Sequence, residues 1–152
     1  LYRGIAFAFN KWDAVEKDEL TADRLRKAVA EKAPSFSYVP VLFISALTGQ
    51  RVPGVWQSIH KISLERKKRI ATSKLNKFVE EIIERKPPPA RRGKFIKVFY
   101  ITQPQGDPPT FIFFCNHPRL IDKSYIRYLE NRIRENYGFE GTPIKMIFKH
   151  KG

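Results

Sequence analysis

The sequence predicts two mixed units in succession: an open α/β unit over residues 1–68, then a small α+β domain of order α-β-β-α-β over residues 69–152. Three observations carry this. The apolar run Ile5-Ala6-Phe7-Ala8-Phe9 ends in Asn10-Lys11-Trp12-Asp13, and a second apolar run, Val41-Leu42-Phe43-Ile44, ends in Ser45-Ala46-Leu47. Basic residues gather in the later part of the chain, after Arg66-Lys67-Lys68-Arg69. Finally, Pro87-Pro88-Pro89 separates a helical pattern from two aromatic-rich strand patterns, a long amphipathic helix and a last strand.

Within the first unit, the segment from Leu20 to Lys32 is amphipathic, with Leu25, Ala28 and Val29 on one face. Strand, helix, strand with both loops at carboxyl ends matches the crevice rule for open α/β sheets, where ligands bind beyond the strand ends. A further helix is predicted from Pro53 or Gly54 to about Lys68, with Val55, Ile59 and Ile62 on one stripe and Trp56 beside it.

A strand that delivers Asn-Lys-x-Asp suits the reading of a guanine base. A carboxylate at Asp13 accepts two parallel hydrogen bonds, from the N1–H and the exocyclic amine of guanine, a donor pair that adenine lacks. Asn10 reaches the other edge of the base or braces the neighbouring loop, and the methylene stem of Lys11 lies along the ring. Small residues at Ser45 and Ala46, with Leu47, let a backbone N–H approach guanine O6 closely. Charge-assisted hydrogen bonds contribute about 1.5–3 kcal/mol each, so Asp13 would carry most of the discrimination. The bland alternative for the tetrapeptide is a polar strand-to-helix turn; the second strand and its small-residue loop favour the base-reading role.

Phosphate chemistry is another matter. Cradling a triphosphate calls for G-x-x-x-x-G-K-[ST], whose amides, lysine and hydroxyl meet phosphates and magnesium. Gly49 and Gly54 have the glycine spacing, yet Val55-Trp56 follows, with neither lysine nor hydroxyl. No Asp-x-x-Gly occurs. The chain opens at Leu1 directly before a core strand, with neither Met nor a leader, so it is expected to be a fragment lacking the first half of this unit. No catalytic residue is assigned.

In the second unit, Thr72 or Ser73 offers an N-cap for a helix carrying Leu75, Phe78, Val79, Ile82 and Ile83. The three prolines stop it and force an extended segment with Arg91, Arg92 and Lys94. Strands are expected from Phe95 to Thr102 and from Thr110 to Asn116, antiparallel through a long loop. A helix from about Lys123 to Tyr137 follows, closed by Gly138, and Pro143 to Lys149 reads as the last strand. Both sheet faces are apolar, which is compatible with a base-stacking platform; burial on both faces, by the unit's own helices and by the neighbouring domain, is the favoured expectation, because aliphatics outnumber the charges expected around such a platform.

Composition narrows the function classes. A hydrophobic share of 42% and an aromatic share of 13% support a packed core over disorder. Cys115 is the sole cysteine, which excludes an internal disulfide framework and fits a reducing cytoplasm. His60, His117 and His150 have no companion cysteines, so no metal site is indicated. No apolar run is long enough to span a membrane. Residues 1–65 hold nine Lys/Arg against seven Asp/Glu, whereas residues 66–152 hold twenty against eight. A basic excess confined to one part points to a polyanion, nucleic acid above all. The residues proposed for that contact, or for docking, are Arg66, Lys67, Lys68, Arg69, Arg91, Arg92 and Lys94.

Longer motifs carry a family resemblance. These are Asn10-Lys11-Trp12-Asp13, Ser45-Ala46-Leu47-Thr48-Gly49, Arg69-Ile70-Ala71-Thr72-Ser73-Lys74-Leu75-Asn76, Lys86-Pro87-Pro88-Pro89 and Phe114-Cys115-Asn116-His117-Pro118-Arg119-Leu120. Tyr128-Leu129-Glu130-Asn131-Arg132-Ile133-Arg134 and Gly138-Phe139-Glu140-Gly141-Thr142-Pro143-Ile144 complete the set. Together they resemble the bacterial tandem GTPases of the Der (EngA) family over essentially the whole chain. The resemblance implies that residues 1–68 are the C-terminal half of a P-loop GTPase domain and residues 69–152 a KH-like domain. It further implies a cytoplasmic protein that hydrolyses GTP and assists maturation of the large ribosomal subunit, with ribosomal RNA and the missing G domains as partners. Its site residues carry over to Asn10, Lys11 and Asp13 for guanine and to Ser45, Ala46 and Leu47 for the base-closing loop. GTP or GDP, with magnesium, would be bound in the intact parent through residues that have no counterpart here.

A KH reading also sets a trap. RNA-binding KH domains grip the backbone with a G-x-x-G loop between two helices. Gly138-Phe139-Glu140-Gly141 has those letters but follows the long helix, while the region where the loop belongs, Pro118 to Lys123, has no glycine. Gly138 and Gly141 therefore read as cap and turn. The competing function is a freestanding basic KH-like RNA-binding module in which residues 1–68 serve only as scaffold.

Overall fold

The computed structural model describes residues 2–18 and 20–152, which fall into two compact units. The first gathers Arg3–Arg66 and Phe139–Thr142; the second gathers Lys67–Gly138 and Pro143–Gly152.

In the first unit, β1 (Phe7–Phe9) and β2 (Val41–Phe43) pair in parallel, with Phe7 opposite Val41 and Phe9 opposite Phe43. Parallel neighbours need a crossover. Helix α1 (Thr21–Lys32) lies between them in sequence, and α2 (Pro53–Lys67) follows β2. Trp12, Val39, Phe43 and Ile62 are buried, and the Trp12 ring lies 4.6 Å from that of Phe43. The expected stripe on α2 is only partly buried: Ile62 is enclosed, whereas Ile59 and Trp56 are exposed.

The second unit runs α3 (Thr72–Arg85), β3 (Val98–Thr102), β4 (Thr110–Cys115), α4 (Lys123–Tyr137) and β5 (Lys145–His150). Its sheet has the order β3-β4-β5, antiparallel between β3 and β4 and parallel between β4 and β5. Leu75, Val79 and Ile82 recur at helical spacing on α3, and Tyr125, Leu129 and Ile133 on α4; all six are buried. On the sheet, Ile101, Phe111, Phe113 and Cys115 are also buried. Enclosing an aliphatic or aromatic side chain of this size contributes about 1.5–3 kcal/mol, so these two stripes and one sheet face dominate the stability of the unit.

Several boundaries differ from expectation. Thr72 is the first residue of α3 rather than its cap; Ala71 occupies the cap position with extended backbone and no side-chain hydrogen bond. Strand β3 starts at Val98, because Phe95–Lys97 is held instead by Asn116, whose Oδ1 accepts from the Lys97 N–H at 2.9 Å. Burial of both sheet faces is not observed. Phe99 and Tyr100 are exposed, Ile112 and Phe114 are half-buried, and Tyr100 stacks on Phe114 at 4.4 Å. Both helices of this unit carry buried stripes at the spacing of a single face, enough for one side of a three-stranded sheet.

Helix α4 ends as expected: Gly138 takes φ 89°, a value costly for residues with a Cβ, and its N–H donates to the Arg134 carbonyl at 2.8 Å. No helix among the described residues is long and apolar enough to cross a membrane.

Candidate functional site

The parallel pairing of β1 and β2 brings their carboxyl-terminal loops together. The Ile44 N–H donates to the Phe9 carbonyl at 2.9 Å, and the Trp12 N–H donates to the Ile44 carbonyl at 3.0 Å, so the ladder continues past both strand ends. Asn10 then bridges the loops. Its Oδ1 accepts from the Ala46 N–H at 2.9 Å and from the Lys11 N–H at 2.8 Å. The contact to Ala46 is the bracing of the neighbouring loop that the sequence allowed for Asn10.

Lys11 adopts φ 63°, ψ 34°, a left-handed conformation that is costly for a residue with a Cβ. Such strain persists where surrounding contacts fix the backbone. Here the Lys11 carbonyl accepts from the Ala14 N–H at 3.0 Å, while buried Trp12 anchors the turn. Asp13 lies exposed at the tip. A hydrogen bond with the Ser45 side chain, assisted by the Asp13 amide and by the Lys17 and Lys11 charges, outweighs desolvation and holds the Asp13 carboxyl below the usual carboxylate range.

Ser45 is fully buried; its Oγ also accepts from the Thr48 N–H at 3.2 Å. Leu47 is 87% exposed, so it contributes no core packing. Asn10, Lys11, Asp13, Ser45, Ala46 and Leu47 thus come together on two adjacent loops. One ionised carboxylate is presented to solvent beside a loop of small residues, whose Ser45 and Ala46 amides are engaged by the Gln50 carbonyl and by Asn10 Oδ1. A planar base with two neighbouring N–H donors is the kind of ligand this arrangement suits.

The basic residues divide by environment. Arg66 and Lys67 close α2. Lys68 Nζ donates to the Tyr137 carbonyl at 2.8 Å, and the Arg69 guanidinium donates to the carbonyls of Gln103, at 2.5 Å, and Pro104. Gln103 completes this knot, accepting from the Ile70 N–H and donating to the Lys68 carbonyl, each at 2.9 Å. Lys68 and Arg69 therefore fasten the start of the second unit to its β3–β4 loop.

Arg91 pairs with Asp122 at 2.7 Å. Burial pushes the Asp122 carboxyl up, but the Arg91 charge, the Ser124 side chain and the Lys123 amide together hold it below its ordinary value. Arg92 and Lys94 are exposed and line an open cleft of about 500 Å³ with Asn116, His117, Arg119 and His150. Sequence reasoning found Arg92 and Lys94 but missed His117, Arg119 and His150 as members of one site. Only the parallel register of β5 on β4, with His150 opposite Cys115, brings His150 beside the residues that follow β4.

Gly138-Phe139-Glu140-Gly141 is not shaped to grip phosphate. Phe139 and Gly141 are buried, the Phe139 N–H donates to Glu65 Oε2 at 2.6 Å, and the Gly141 N–H donates to the Tyr38 carbonyl at 2.6 Å. Glu140 pairs with Lys61.

Comparison with known proteins places the chain. Residues 69–149 match the family model described as the KH-domain-like of EngA bacterial GTPase enzymes, C-terminal. GTPase Der of Moorella thermoacetica is 49% identical over 140 residues, covering 92% of this chain and 32% of that protein. GTPase Der of Desulforamulus reducens is 45% identical over 149 residues, covering 98% and 34%, and that of Natranaerobius thermophilus 42% with the same coverage. The chain spans about a third of the length of the curated relatives it matches. The family match covers more than half of the chain, and the chain accordingly belongs to the Der/EngA family of bacterial GTPases, whose C-terminal KH-like domain it carries.

Proposed function

We propose that this chain supplies the guanine-reading loops and the basic KH-like domain of a GTPase that acts in the cytoplasm on assembly of the large ribosomal subunit. The observation that carries the first part is the Asn10 bridge, 2.9 Å from Oδ1 to the Ala46 N–H, which sets the Asp13 loop and the Ser45-Ala46-Leu47 loop as one surface. Asp13 would accept from N1–H and the exocyclic amine of guanine, the Lys11 stem would lie on the base, and the Ser45 loop would close over O6. GTP would supply the hydrolysable phosphoanhydride, with phosphate and magnesium held by residues outside this sequence. The basic excess after residue 65 supports contact between the second unit and ribosomal RNA.

The test uses residues 1–152 joined to the upstream part of the Moorella thermoacetica relative. Asp13→Asn replaces a double acceptor with an amide that must present a donor, which suits xanthine and mismatches guanine. Preference is expected to move from GTP to XTP. Unchanged GTP affinity in that variant would show that Asp13 does not read the base.

A further inference from the structure

Trp12 stands between Lys11 and Asp13, the two residues assigned to the base, yet its own ring is enclosed. It is 4% exposed, lies 4.6 Å from the Phe43 ring, and its N–H donates to the Ile44 carbonyl at 3.0 Å. Two cations lie over the indole: Lys17 Nζ is 5.2 Å from the ring centroid and the Arg51 guanidinium 5.5 Å. Indole is the best aromatic partner for a cation, and the attraction grows as the pair is desolvated.

Of these two cations, Arg51 is the one its surroundings single out. It comes from the second loop, whereas Lys17 follows Trp12 in the first and also lowers the Asp13 carboxyl by its charge. Arg51 holds φ 60°, in the left-handed region that is costly for a residue with a Cβ. Among the described residues no carboxylate pairs with it; its guanidinium goes to the Trp12 ring. Strain of this kind persists where the surrounding structure fixes it, and it gathers at functional sites.

The loop that leads to Arg51 is closed on the site. The Ser45 N–H donates to the Gln50 carbonyl at 3.0 Å, the Thr48 N–H to Ser45 Oγ at 3.2 Å, and the Gln50 N–H to Thr48 Oγ1 at 3.3 Å. Ser45 is also the side-chain hydrogen-bond partner of Asp13. A circuit therefore runs from Asp13 to Ser45, along the loop to Arg51, across to Trp12 and back along the chain to Asp13. Trp12 and Asp13 share the short turn Trp12–Ala14, so an indole that tilts carries the carboxylate with it.

We propose that Arg51 is a positioning residue for guanine: by covering the Trp12 ring it fixes the Trp12–Ala14 turn, and with it the direction in which Asp13 presents its two oxygens. The inference rests on the reading of Asp13 as acceptor for N1–H and the exocyclic amine, and Arg51 itself is assigned no contact with the base. A bidentate contact depends more on direction than a single hydrogen bond does. Loss of Arg51 should therefore cost guanine, which offers both donors, more than hypoxanthine, which offers one.

The experiment measures GDP and IDP binding to the chain joined to the upstream part of the Moorella thermoacetica relative, taking the part of the binding that Asp13→Ala removes. Arg51→Gln discards the cation and keeps a Cβ at positive φ; Arg51→Gly discards both; Arg51→Lys restores a cation. Gln and Gly should weaken this GDP binding about fivefold or more and IDP binding by less, so that the GDP preference falls. The Gly variant should do so with its thermal midpoint unchanged or raised, because its strain is relieved. Lys should stay within about twofold of wild type. Trp56→Phe, at a position 71% exposed, leaves Trp12 as the single tryptophan of residues 1–152. In that background Trp12 emission should move to longer wavelength and become more open to acrylamide quenching in Arg51→Gln, but not in Arg51→Lys. Equal weakening of GDP and IDP would make the role of Arg51 merely structural and overturn the proposal. Unchanged binding in Gln and Gly, with Asp13→Ala still damaging, would overturn it while leaving guanine reading in place. Binding that Asp13→Ala does not alter would remove the guanine reading and this inference together.

Discussion

The side-chain amide of Asn76 pairs in both directions with the backbone of Ile101: Oδ1 accepts from the Ile101 N–H and Nδ2 donates to the Ile101 carbonyl, each at 2.9 Å. Strand β3 is an edge of its sheet, and an edge leaves ladder groups without a neighbouring strand. Asn76 acts there as a one-residue surrogate strand, projected from α3. Its Nδ2 also donates to the Thr72 carbonyl at 2.8 Å.

Asn76→Ala should therefore destabilise the second unit by about 2–3 kcal/mol, since leaving a partly enclosed donor or acceptor without a partner costs about 1–3 kcal/mol. Asn76→Asp should be worse than alanine near neutral pH, because a carboxylate would face the carbonyl oxygens of Thr72 and Ile101. Acid should recover part of the loss as that carboxylate protonates. Urea unfolding followed at neutral and acidic pH checks both; an alanine variant within error of wild type would show that water replaces Asn76 at no cost.

Gly141 is the second structural prediction. It is buried at φ 65°, and a Cβ there would lie 2.5 Å from Ile62 Cγ1 and 2.8 Å from the Ile5 carbonyl oxygen. The side chain of Ile62 has room to yield only if remodelled, whereas the Ile5 oxygen is fixed by its own chain. Gly141→Ala should lower stability by about 2 kcal/mol or more, combining positive-φ strain with overpacking. Adding Ile62→Val should recover only part of that in thermal unfolding. Full recovery would mean that the backbone clash is absorbed elsewhere.

Tyr125 makes stability sensitive to alkali. Burial, with a smaller contribution from Tyr128, raises its hydroxyl well above the ordinary value of 10.0, and that hydroxyl donates to the Lys86 carbonyl at 2.7 Å. A raised folded-state value means the neutral form is favoured on folding. The stabilisation is complete below pH 10.0 and is lost as pH rises above it, because the unfolded chain then releases a proton that the folded chain keeps. Tyr137 is shifted the same way, mainly by burial, so part of the dependence should survive in Tyr125→Phe. Chemical denaturation between neutral pH and strong alkali should show a shallower decline for that variant. An identical decline would assign the effect to other groups.

What the sequence disclosed depended on how local the signal was. Helix α4 was legible to the residue, because its apolar spacing and Gly138 cap are written within one segment. Both loops proposed to read guanine stood out for the same reason, each being a short motif at a strand end. The role of Asn76 was not, since nothing in Thr72-Ser73-Lys74-Leu75-Asn76 says that its amide lies beside Ile101. The basic cleft was half legible: Arg92 and Lys94 stand in a charge run, while His150 joins them only through strand register. What covers the second sheet face was not legible, because aromatic alternation looks the same whether that face is covered or bare.

Hydrolysis sets a sharp expectation. Phosphoryl transfer is catalysed chiefly by positioning and neutralising phosphates, and the sequence contains no G-x-x-x-x-G-K-[ST] and no Asp-x-x-Gly. Residues 1–152 alone should release phosphate from GTP no faster than buffer does. Turnover well above buffer that disappears in Asp13→Ala would refute this.

Asn10 and Asp13 should separate kinetically in the chain joined to the upstream part of a relative. Asn10 holds loop geometry through the Ala46 and Lys11 amides and is not assigned to the amine edge of the base. Asp13 is assigned to that edge. Inosine nucleotides keep N1–H but lack the exocyclic amine, so they report on half of the Asp13 contact. Asn10→Ala should weaken GTP and ITP by the same factor, about tenfold for a loss of about 1.4 kcal/mol, leaving their ratio unchanged. Asp13→Ala should collapse the ratio towards one, because neither donor of guanine then has its acceptor. A ratio that changes in Asn10→Ala and persists in Asp13→Ala would exchange the two roles, making Asn10 the reader and Asp13 the brace.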